Sequence, residues 1–436
     1  MLYWVAKVFS TIFLRVFYRI EVKGLKNIPR NKPIIIAANH VNAFIDPSVI
    51  GIVVPQKVRF FARSDVFKSP FAKKVLDSLN ISPMYRILEG YSEVKKNEQT
   101  FEECKKLLSQ NKTILLFPEG LCVLEKRLRK LKKGLARIIF STEETFDFKK
   151  GVFVIPMGLN YSKANEFGSK LFMNIGKPIH ISDYEQQYKE DKVKAINEFT
   201  KELEIKMAEL MVIVEKPEND EVYEAAIEMF EESPKNAETE HEQNCEIAGI
   251  INHYDKNPNE EFEKFKSSIH TYMRELKKIK IDDATVRKRL SGEINFFHSL
   301  VDSIMLAIGF PLFTVGALLN YPPYFLAKRM TDKKIKNIDF YASIYANTAM
   351  GLWLLFYTIQ LITVGLIFRN WTILNLYALL IPVCGLFFIK YYNYVKSVQK
   401  KWRLATLTEN QVAELMKQKG EIEILMKGLE NTFDSL

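Results

Sequence analysis

Residues 34–47 read IIIAANHVNAFIDP, and the passage from an apolar run to polar residues in this stretch decides the fold. Ile34–Ala38 is apolar throughout and is long enough for a strand that is buried on both faces. Strands of this kind occur in parallel sheets that are covered by helices. The stretch therefore predicts an α/β domain in which Asn39 and His40 stand at the carboxyl end of a buried strand.

Two further apolar runs, Thr113–Phe117 and Val152–Pro156, repeat the strand pattern. Residues 92–110 carry apolar side chains at helical spacing instead. Strands that alternate with helices predict a mostly parallel sheet flanked by helices. We place this α/β domain at residues 21–182.

His40 stands where open α/β sheets bind their ligands, beyond the carboxyl end of a strand, and Asp46 follows it on the same loop. A neutral imidazole beside a carboxylate is a natural general base for a hydroxyl nucleophile, because the carboxylate fixes the tautomer and stabilises the imidazolium. Two plainer interpretations stay open. In one, Asp46 caps a helix that starts at Pro47; in the other, His40 is a hydrogen-bonded loop residue.

Two other loops follow apolar segments and carry residues that are suited to binding a substrate. Phe117-Pro118-Glu119-Gly120 is either a plain turn or a loop in which Glu119 binds acceptor hydroxyls or neighbouring basic groups. Arg86 is either a surface arginine or a bidentate ligand of a phosphate.

Residues 126–134 read KRLRKLKKG, with six basic residues in nine positions. This segment is suited to the phosphates of a donor or acceptor, or to anionic lipid headgroups; a solvated basic surface is the alternative. The formal net charge of +10 fits the same partners. The sequence has neither zinc-finger spacing nor an RNA-binding aromatic motif, so nucleic acid is not expected as a partner.

Taken in this order, the four motifs resemble those of the glycerolipid acyltransferase family, which includes lysophosphatidate and glycerol-3-phosphate acyltransferases. The resemblance covers about residues 21–182, and Val152–Gly158 looks like the family's fourth block. It implies an acyltransferase with His40 as the general base and Asp46 as its orienting partner. The residues that the resemblance assigns to substrate binding are Arg86, Phe117, Pro118, Glu119, Gly120, Lys133 and Gly134.

The resemblance also implies the substrates. The acyl donor is expected to be a thioester of coenzyme A or of acyl carrier protein, and the acceptor glycerol 3-phosphate or its 1-acyl derivative. Neither a resident cofactor nor a metal ion is implied.

The sequence departs from the family in one spacing, because five residues rather than four separate His40 from Asp46. The variant is similar to the form in a subgroup with fungal glycerol-3-phosphate or dihydroxyacetone-phosphate acyltransferases and bacterial relatives. It makes Asn42 a candidate for positioning the site or binding the substrate.

Two other functions stay open. A catalytically inactive membrane adaptor on the same fold is favoured by the longer spacer, since an extra residue can point the carboxylate elsewhere. The retained His40, Asp46, Arg86 and Glu119 argue against it. A transacylase that uses a lipid donor normally has a serine nucleophile, and no G-x-S-x-G turn occurs in the sequence.

The regions outside the α/β domain predict contact with a membrane. Residues 1–20 have the pattern of an amphipathic helix, which lies either in the membrane interface or on the core of the domain itself. Residues 183–296 are charged and helical. They form an insertion to which the sequence assigns no chemistry.

The membrane region is predicted at residues 297–395. No charged residue occurs from 341 to 368 or from 370 to 389, and each run is long enough to cross a bilayer, so that the two form a transmembrane hairpin. Prolines interrupt the uncharged run 303–327, which we expect to be re-entrant or interfacial.

Basic residues flank the predicted hairpin on both sides, at 328–336 and 390–403, so the positive-inside rule places both flanks in the cytoplasm. We therefore expect an integral membrane protein with its catalytic domain on the cytoplasmic face. Its tail, residues 396–436, is predicted to hold a short amphipathic helix that starts with a capping box at Thr408 and Gln411.

Overall fold

The computed structural model describes residues 2–84, 91–164, 166–230, 237–292, 294–335 and 338–435. The chain divides into two compact units. The first comprises Met1–Ile213 with Asn337–Ile344, and the second Val214–Lys336 with Tyr345–Leu436.

The first unit is a sheet covered by helices. Its strands are β1 (Arg19–Lys23), β2 (Ile34–Ala38), β3 (Val58–Arg63), β4 (Ile81–Met84), β5 (Thr113–Leu116), β6 (Phe153–Tyr161), β7 (Lys170–Ile175) and β8 (Ile179–His180). Its helices are α1 (Leu2–Phe17), α2 (Ile45–Val53), α3 (Pro70–Ser78), α4 (Tyr91–Ser109), α5 (Gly134–Thr145), α6 (Glu185–Glu190) and α7 (Lys192–Ala208).

The strand order is β1-β7-β6-β2-β5-β3-β4, with β8 paired to β6. Strand β2 lies inside the sheet and pairs in parallel with β5 and β6, so that Ile36 aligns with Leu115 and Ile155. Strands β3 and β4 continue the parallel part, whereas β7 and β8 run antiparallel to β6. The predicted fold class, a mostly parallel sheet flanked by helices, is confirmed.

Helix α7 completes the core of this unit. Ala195, Phe199, Leu203 and Met207 recur every fourth residue on it, and all are buried. The ring of Phe199 packs edge-on against Phe140 of α5, with centroids 5.8 Å apart. The unit therefore extends past the boundary predicted at residue 182, because the apolar face of the sheet needs α7 to cover it.

Helix α1 is shorter than the predicted 1–20, since Arg19–Lys23 already pairs with β7 as a strand. One side of the helix is buried, at Tyr3, Leu14 and Phe17. Large apolar side chains on its other positions are exposed, namely Leu2, Trp4, Val5, Val8, Ile12 and Val16. The helix thus packs on its own domain and still presents an apolar surface outward.

The second unit is helical. Its helices are α8 (Asp220–Phe230), α9 (Ala237–Lys256), α10 (Glu260–Ile279), α11 (Asp283–Leu290), α12 (Phe296–Lys334), α13 (Ile338–Phe368), α14 (Trp371–Ala405) and α15 (Glu409–Asp434), and α13 belongs to the first unit as far as Ile344. The predicted capping box is confirmed at the start of α15, where Gln411 N–H donates to Thr408 Oγ1 and Thr408 N–H donates to the Gln411 side chain.

Three of these helices are long and apolar enough to cross a membrane: α12, α13 from Ser343, and α14. Helix α12 runs without interruption through Pro311, Pro322 and Pro323, so these prolines do not end the helix, and a re-entrant or interfacial position of residues 303–327 stays a prediction. A proline removes one backbone donor and does not force an apolar helix to turn back, since neighbouring groups can satisfy the freed carbonyls.

Helices α12 and α14 pack together in antiparallel fashion. At one end of the pair, Lys401 Nζ donates to Asp302 Oδ2 at 2.9 Å. Towards the other end, Asn320 Nδ2 donates to the carbonyl oxygen of Ile381 at 3.4 Å, and Gly316 lies directly against the backbone of Cys384.

Candidate active site

The sheet order brings three chain segments together at one edge. Strands β6, β2 and β5 are neighbours and run in parallel, so their carboxyl ends lie side by side. Tyr161 ends β6, His40 follows β2, and Phe117 follows β5. Parallel sheets bind ligands at this edge, so the predicted base stands where a substrate is expected.

His40 and Asp46 form a dyad. The imidazole Nδ1 lies 2.9 Å from Asp46 Oδ2, and the imidazole is 16% exposed whereas the carboxylate is fully buried. With Asp46 ionised, this contact puts the proton on Nδ1 and leaves the lone pair on Nε2. The ring is therefore held in the tautomer that a general base needs.

The extra residue in the spacer is absorbed by the loop before α2. The N–H groups of Ile45 and Asp46 both donate to the carbonyl oxygen of Asn42, which folds the chain back towards His40. The N–H groups of Val41 and Asn42 then donate to Asp46 Oδ2 at 2.8 and 2.7 Å. Helix α2 starts at Ile45 with Phe44 at its N-cap, so the interpretation of Asp46 as a helix cap is wrong.

Asn39 fixes the point where the loop leaves the sheet. Its buried side-chain amide accepts from Leu159 N–H at 2.7 Å and donates to Leu159 O at 3.0 Å. The side chain thereby continues the pairing of β2 with β6 after the backbone of β2 has turned away. The sequence analysis assigned Asn39 no role, although an amide directly after a buried strand was a signal.

The loop at residues 117–120 supports His40 from the other side. The ring of Phe117 stacks on the imidazole, with centroids 3.9 Å apart and planes 8° apart. Pro118 is buried, and Gly120 closes a tight turn by donating its N–H to Phe117 O at 3.1 Å. Gly120 has φ of 73°, a conformation that other residues rarely adopt.

Glu119 does not face the open edge of the sheet. Its buried carboxylate accepts from His40 N–H through Oε1 and from Arg129 N–H through Oε2, both at 3.1 Å. Burial raises the pKa of Glu119, against the lowering effect of these two amides. Glu119, which was predicted to bind acceptor hydroxyls or neighbouring basic groups, ties the loop that carries His40 to the basic segment.

Asn42 is also buried, and its side chain is occupied by protein groups. Its Nδ2 donates to Tyr18 Oη at 3.3 Å and to Ala164 O at 3.2 Å, while its Oδ1 accepts from Ser343 Oγ. Of the two predicted roles, these contacts fit positioning, because both N–H donors of the amide and its oxygen bind protein groups.

Tyr161 is a member of the site that the sequence analysis missed. Its hydroxyl donates to Asp46 Oδ1 at 2.7 Å. Burial and the neighbouring Asp46 raise the pKa of Tyr161 well above its ordinary value, so the hydroxyl keeps its proton.

The remaining predicted residues are less constrained. Lys133 is exposed at the N-cap of α5, and Gly134 is the first residue of that helix. Part of the basic segment is neutralised locally, because Arg127 and Arg129 both pair with Glu125. Arg86 lies outside the described residues.

Residues 19–160 match the family model described as Acyltransferase, and the chain therefore contains an acyltransferase-family domain. The class that the motifs indicated is confirmed by this match.

The names of the matching relatives include a substrate. A chloroplastic 1-acyl-sn-glycerol-3-phosphate acyltransferase of Arabidopsis thaliana is 25% identical over 189 residues, which cover 41% of this chain and 49% of that one. Glycerol-3-phosphate O-acyltransferase 2 of Saccharomyces cerevisiae is 22% identical over 332 residues, covering 72% of this chain and 43% of that one. The chain thus spans about half the length of each relative or less.

A crystal structure of the 1-acyl-sn-glycerophosphate (LPA) acyltransferase PlsC from Thermotoga maritima also resembles the chain. The similarity has a TM-score of 0.36 and 19% identity, and it covers 47% of this chain and 77% of that one.

Proposed function

We propose that the protein transfers a fatty acyl group from an acyl thioester to a hydroxyl of glycerol 3-phosphate or 1-acylglycerol 3-phosphate, with His40 as the general base. The proposal depends on one observation above the others, the 2.9 Å contact between His40 Nδ1 and Asp46 Oδ2. The names of the plant and yeast relatives favour the same pair of acceptors.

The reaction follows from the state of the imidazole. His40 Nε2 takes the proton of the acceptor hydroxyl while the hydroxyl oxygen bonds to the thioester carbonyl carbon. The resulting imidazolium is stabilised by Asp46 through Nδ1–H. When the tetrahedral oxyanion collapses, the carbon–sulfur bond breaks and the thiolate takes the proton back from Nε2. The products are an ester and a free thiol, and His40 returns to its neutral form.

The phosphate of the acceptor requires cationic groups near the base. We assign Arg86 to this role because it follows β4 in the sequence. The carboxyl ends of β4 and β2 lie at the same edge of the sheet. Lys133 supports a second contact, because it is exposed at the start of α5, where free backbone N–H groups also favour an anion. Gly120 and Gly134 allow the backbone to approach a ligand closely at these two places.

We favour this function over the two alternatives. The inactive adaptor was favoured by the five-residue spacer, and the dyad forms in spite of that spacer. We favour a thioester donor over the lipid donor of a transacylase because the sequence has no G-x-S-x-G turn to supply a serine nucleophile.

The test uses membranes that carry the chain, radiolabelled acyl-CoA or acyl–acyl carrier protein, and three acceptors: glycerol 3-phosphate, 1-acylglycerol 3-phosphate and monoacylglycerol. We expect label in lipid with a phosphorylated acceptor and not with monoacylglycerol. Arg86→Ala should raise the KM of the acceptor about tenfold and leave that of the donor unchanged. Arg137→Ala removes an exposed arginine on α5 and serves as the matched control. Equal labelling of all three acceptors would refute the phosphate requirement.

We also propose a membrane arrangement in which α12, α13 and α14 cross the bilayer an even number of times. Segments before and after these helices bind each other. Lys419 of α15 donates to both carboxylate oxygens of Asp283 in α11, at 2.9 and 3.1 Å. Tyr254 of α9 donates to Leu429 O of α15 at 3.1 Å. Segments in contact occupy the same side of the bilayer, and three separate crossings would put them on opposite sides.

A further inference from the structure

We propose that Tyr161 is a positioning residue for the proton transfer. Its hydroxyl prevents rotation of the Asp46 carboxylate and in this way controls the transfer. This inference rests on the proposed function, because it concerns the same dyad. It assigns a task to a hydroxyl that no motif in the sequence contains.

The hydrogen bonds of Asp46 are distributed unevenly between its two oxygens. Oδ2 accepts from His40 Nδ1 and from the N–H groups of Val41 and Asn42. Oδ1 accepts from Tyr161 Oη at 2.7 Å. The three donors to Oδ2 converge on one atom, and the phenol is the donor among the described residues that holds the other atom in place.

A fixed carboxylate matters because the imidazole follows it. The carboxylate of Asp46 is fully buried, so water does not readily replace a lost donor at Oδ1. Without that donor, the carboxylate can rotate and offer His40 Nδ1 a poorer acceptor. The consequence is a mixture of imidazole tautomers, of which one lacks the lone pair on Nε2 that takes the acceptor proton.

Tyr161 itself is rigidly placed. It is the last residue of β6 and pairs with Leu171 across the sheet. Its ring lies edge-on to that of Tyr18, with centroids 5.5 Å apart. The hydroxyl that binds Asp46 Oδ1 therefore comes from the sheet, whereas the three donors to Oδ2 come from the loop.

The kinetic test is Tyr161→Phe, which removes the hydroxyl and keeps the ring. We expect kcat to fall about tenfold to a hundredfold while the acceptor KM changes less than about twofold. Tyr188→Phe is the matched control, because Tyr188 is buried and its hydroxyl also donates to a carboxylate, that of Glu144 at 3.1 Å, in the helical layer. In an Asp46→Asn background, Tyr161→Phe should cost less than about threefold, since residues that act through one another are not additive.

A spectroscopic test does not depend on activity. Nitrogen-15 NMR of histidine-labelled protein, with the His40 signal assigned from its loss in His40→Ala, reports the tautomer directly. We expect the Nδ1–H form to predominate in the wild type and in Tyr188→Phe, and its fraction to fall in Tyr161→Phe.

The inference is overturned if Tyr161→Phe matches Tyr188→Phe in both kcat and tautomer. That outcome differs from failure of the proposed function, which would appear as acyl transfer that survives His40→Ala.

Discussion

The proposed catalytic dyad depends on one loop that has to bring residues 40 and 46 together. The spacer between them departs from the family pattern, and the loop compensates through two hydrogen bonds to Asn42 O and two backbone donors to the carboxylate. An acid can therefore be displaced by one residue in the sequence and still meet its base, provided that the loop has backbone groups to hold it.

The turn after β5 depends on the backbone freedom of Gly120. We expect Gly120→Ala to lower the free energy of unfolding by about 1–2 kcal/mol, the cost of a left-handed backbone at an L residue. Sterics do not add to this cost, because the nearest atom to an added Cβ is Lys132 Cγ at 3.6 Å.

Gly134→Ala is the control for this prediction, since it begins α5 and an added Cβ meets no atom within 4 Å. It should keep or raise stability by about 0.5–1 kcal/mol. Thermal unfolding of both variants in detergent measures the difference. Equal effects of the two substitutions would contradict the role of the backbone at Gly120.

At the scale of elements, the sequence predicted those features that depend on local pattern. The strand Ile34–Ala38 and the helix near 92–110 followed from runs and periodicity, and both are present as β2 and α4. The loops at His40 and Phe117 were placed correctly at strand ends.

Features that depend on long-range pairing could not be predicted in this way. Asn39 and Tyr161 gain their roles only because β6 lies beside β2, and the partners Asn39 and Leu159 are 120 residues apart in the chain. The buried state of Glu119 and Asn42 likewise depends on segments that the local pattern does not bring together. Helical periodicity alone did not show that α7 covers the sheet.

Helix α7 gives a prediction at this scale. Phe199→Ala should lower the free energy of unfolding of the first unit by about 3–5 kcal/mol, because the side chain is fully buried in the core that the sheet shares with α5. Val193→Ala on the same helix is 67% exposed and should change it by less than about 0.5 kcal/mol. Thermal unfolding, with limited proteolysis as the readout, measures the stability change of both variants. Similar small effects would place α7 outside the cooperative core.

At the scale of the whole molecule, an acyl acceptor such as 1-acylglycerol 3-phosphate is held in a membrane, and the chain carries apolar surfaces suited to that location. The exposed apolar side chains of α1 and the three apolar helices provide these surfaces. We expect catalysis to take place at the bilayer surface.

Reporters test the membrane arrangement. Fusions or accessible cysteines introduced at residue 336 and at residue 369 flank α13, and the transmembrane hairpin predicted from the sequence puts them on opposite sides of the bilayer. A reporter fused after Leu436 should lie on the same side of the bilayer as a reporter placed in α9 or α10. Residues 336 and 369 on the same side would contradict the hairpin, and a reporter after Leu436 on the side opposite to one in α9 or α10 would contradict the even number of crossings.

The central claim is that His40 removes the proton from the acceptor, and the rate of acyl transfer by His40→Ala tests it most directly. We predict a fall of roughly 100- to 10,000-fold with folding retained, whereas His270→Ala, which removes an exposed histidine on α10, should leave the rate unchanged. A folded His40→Ala protein that transfers the acyl group within tenfold of the wild-type rate would contradict the account.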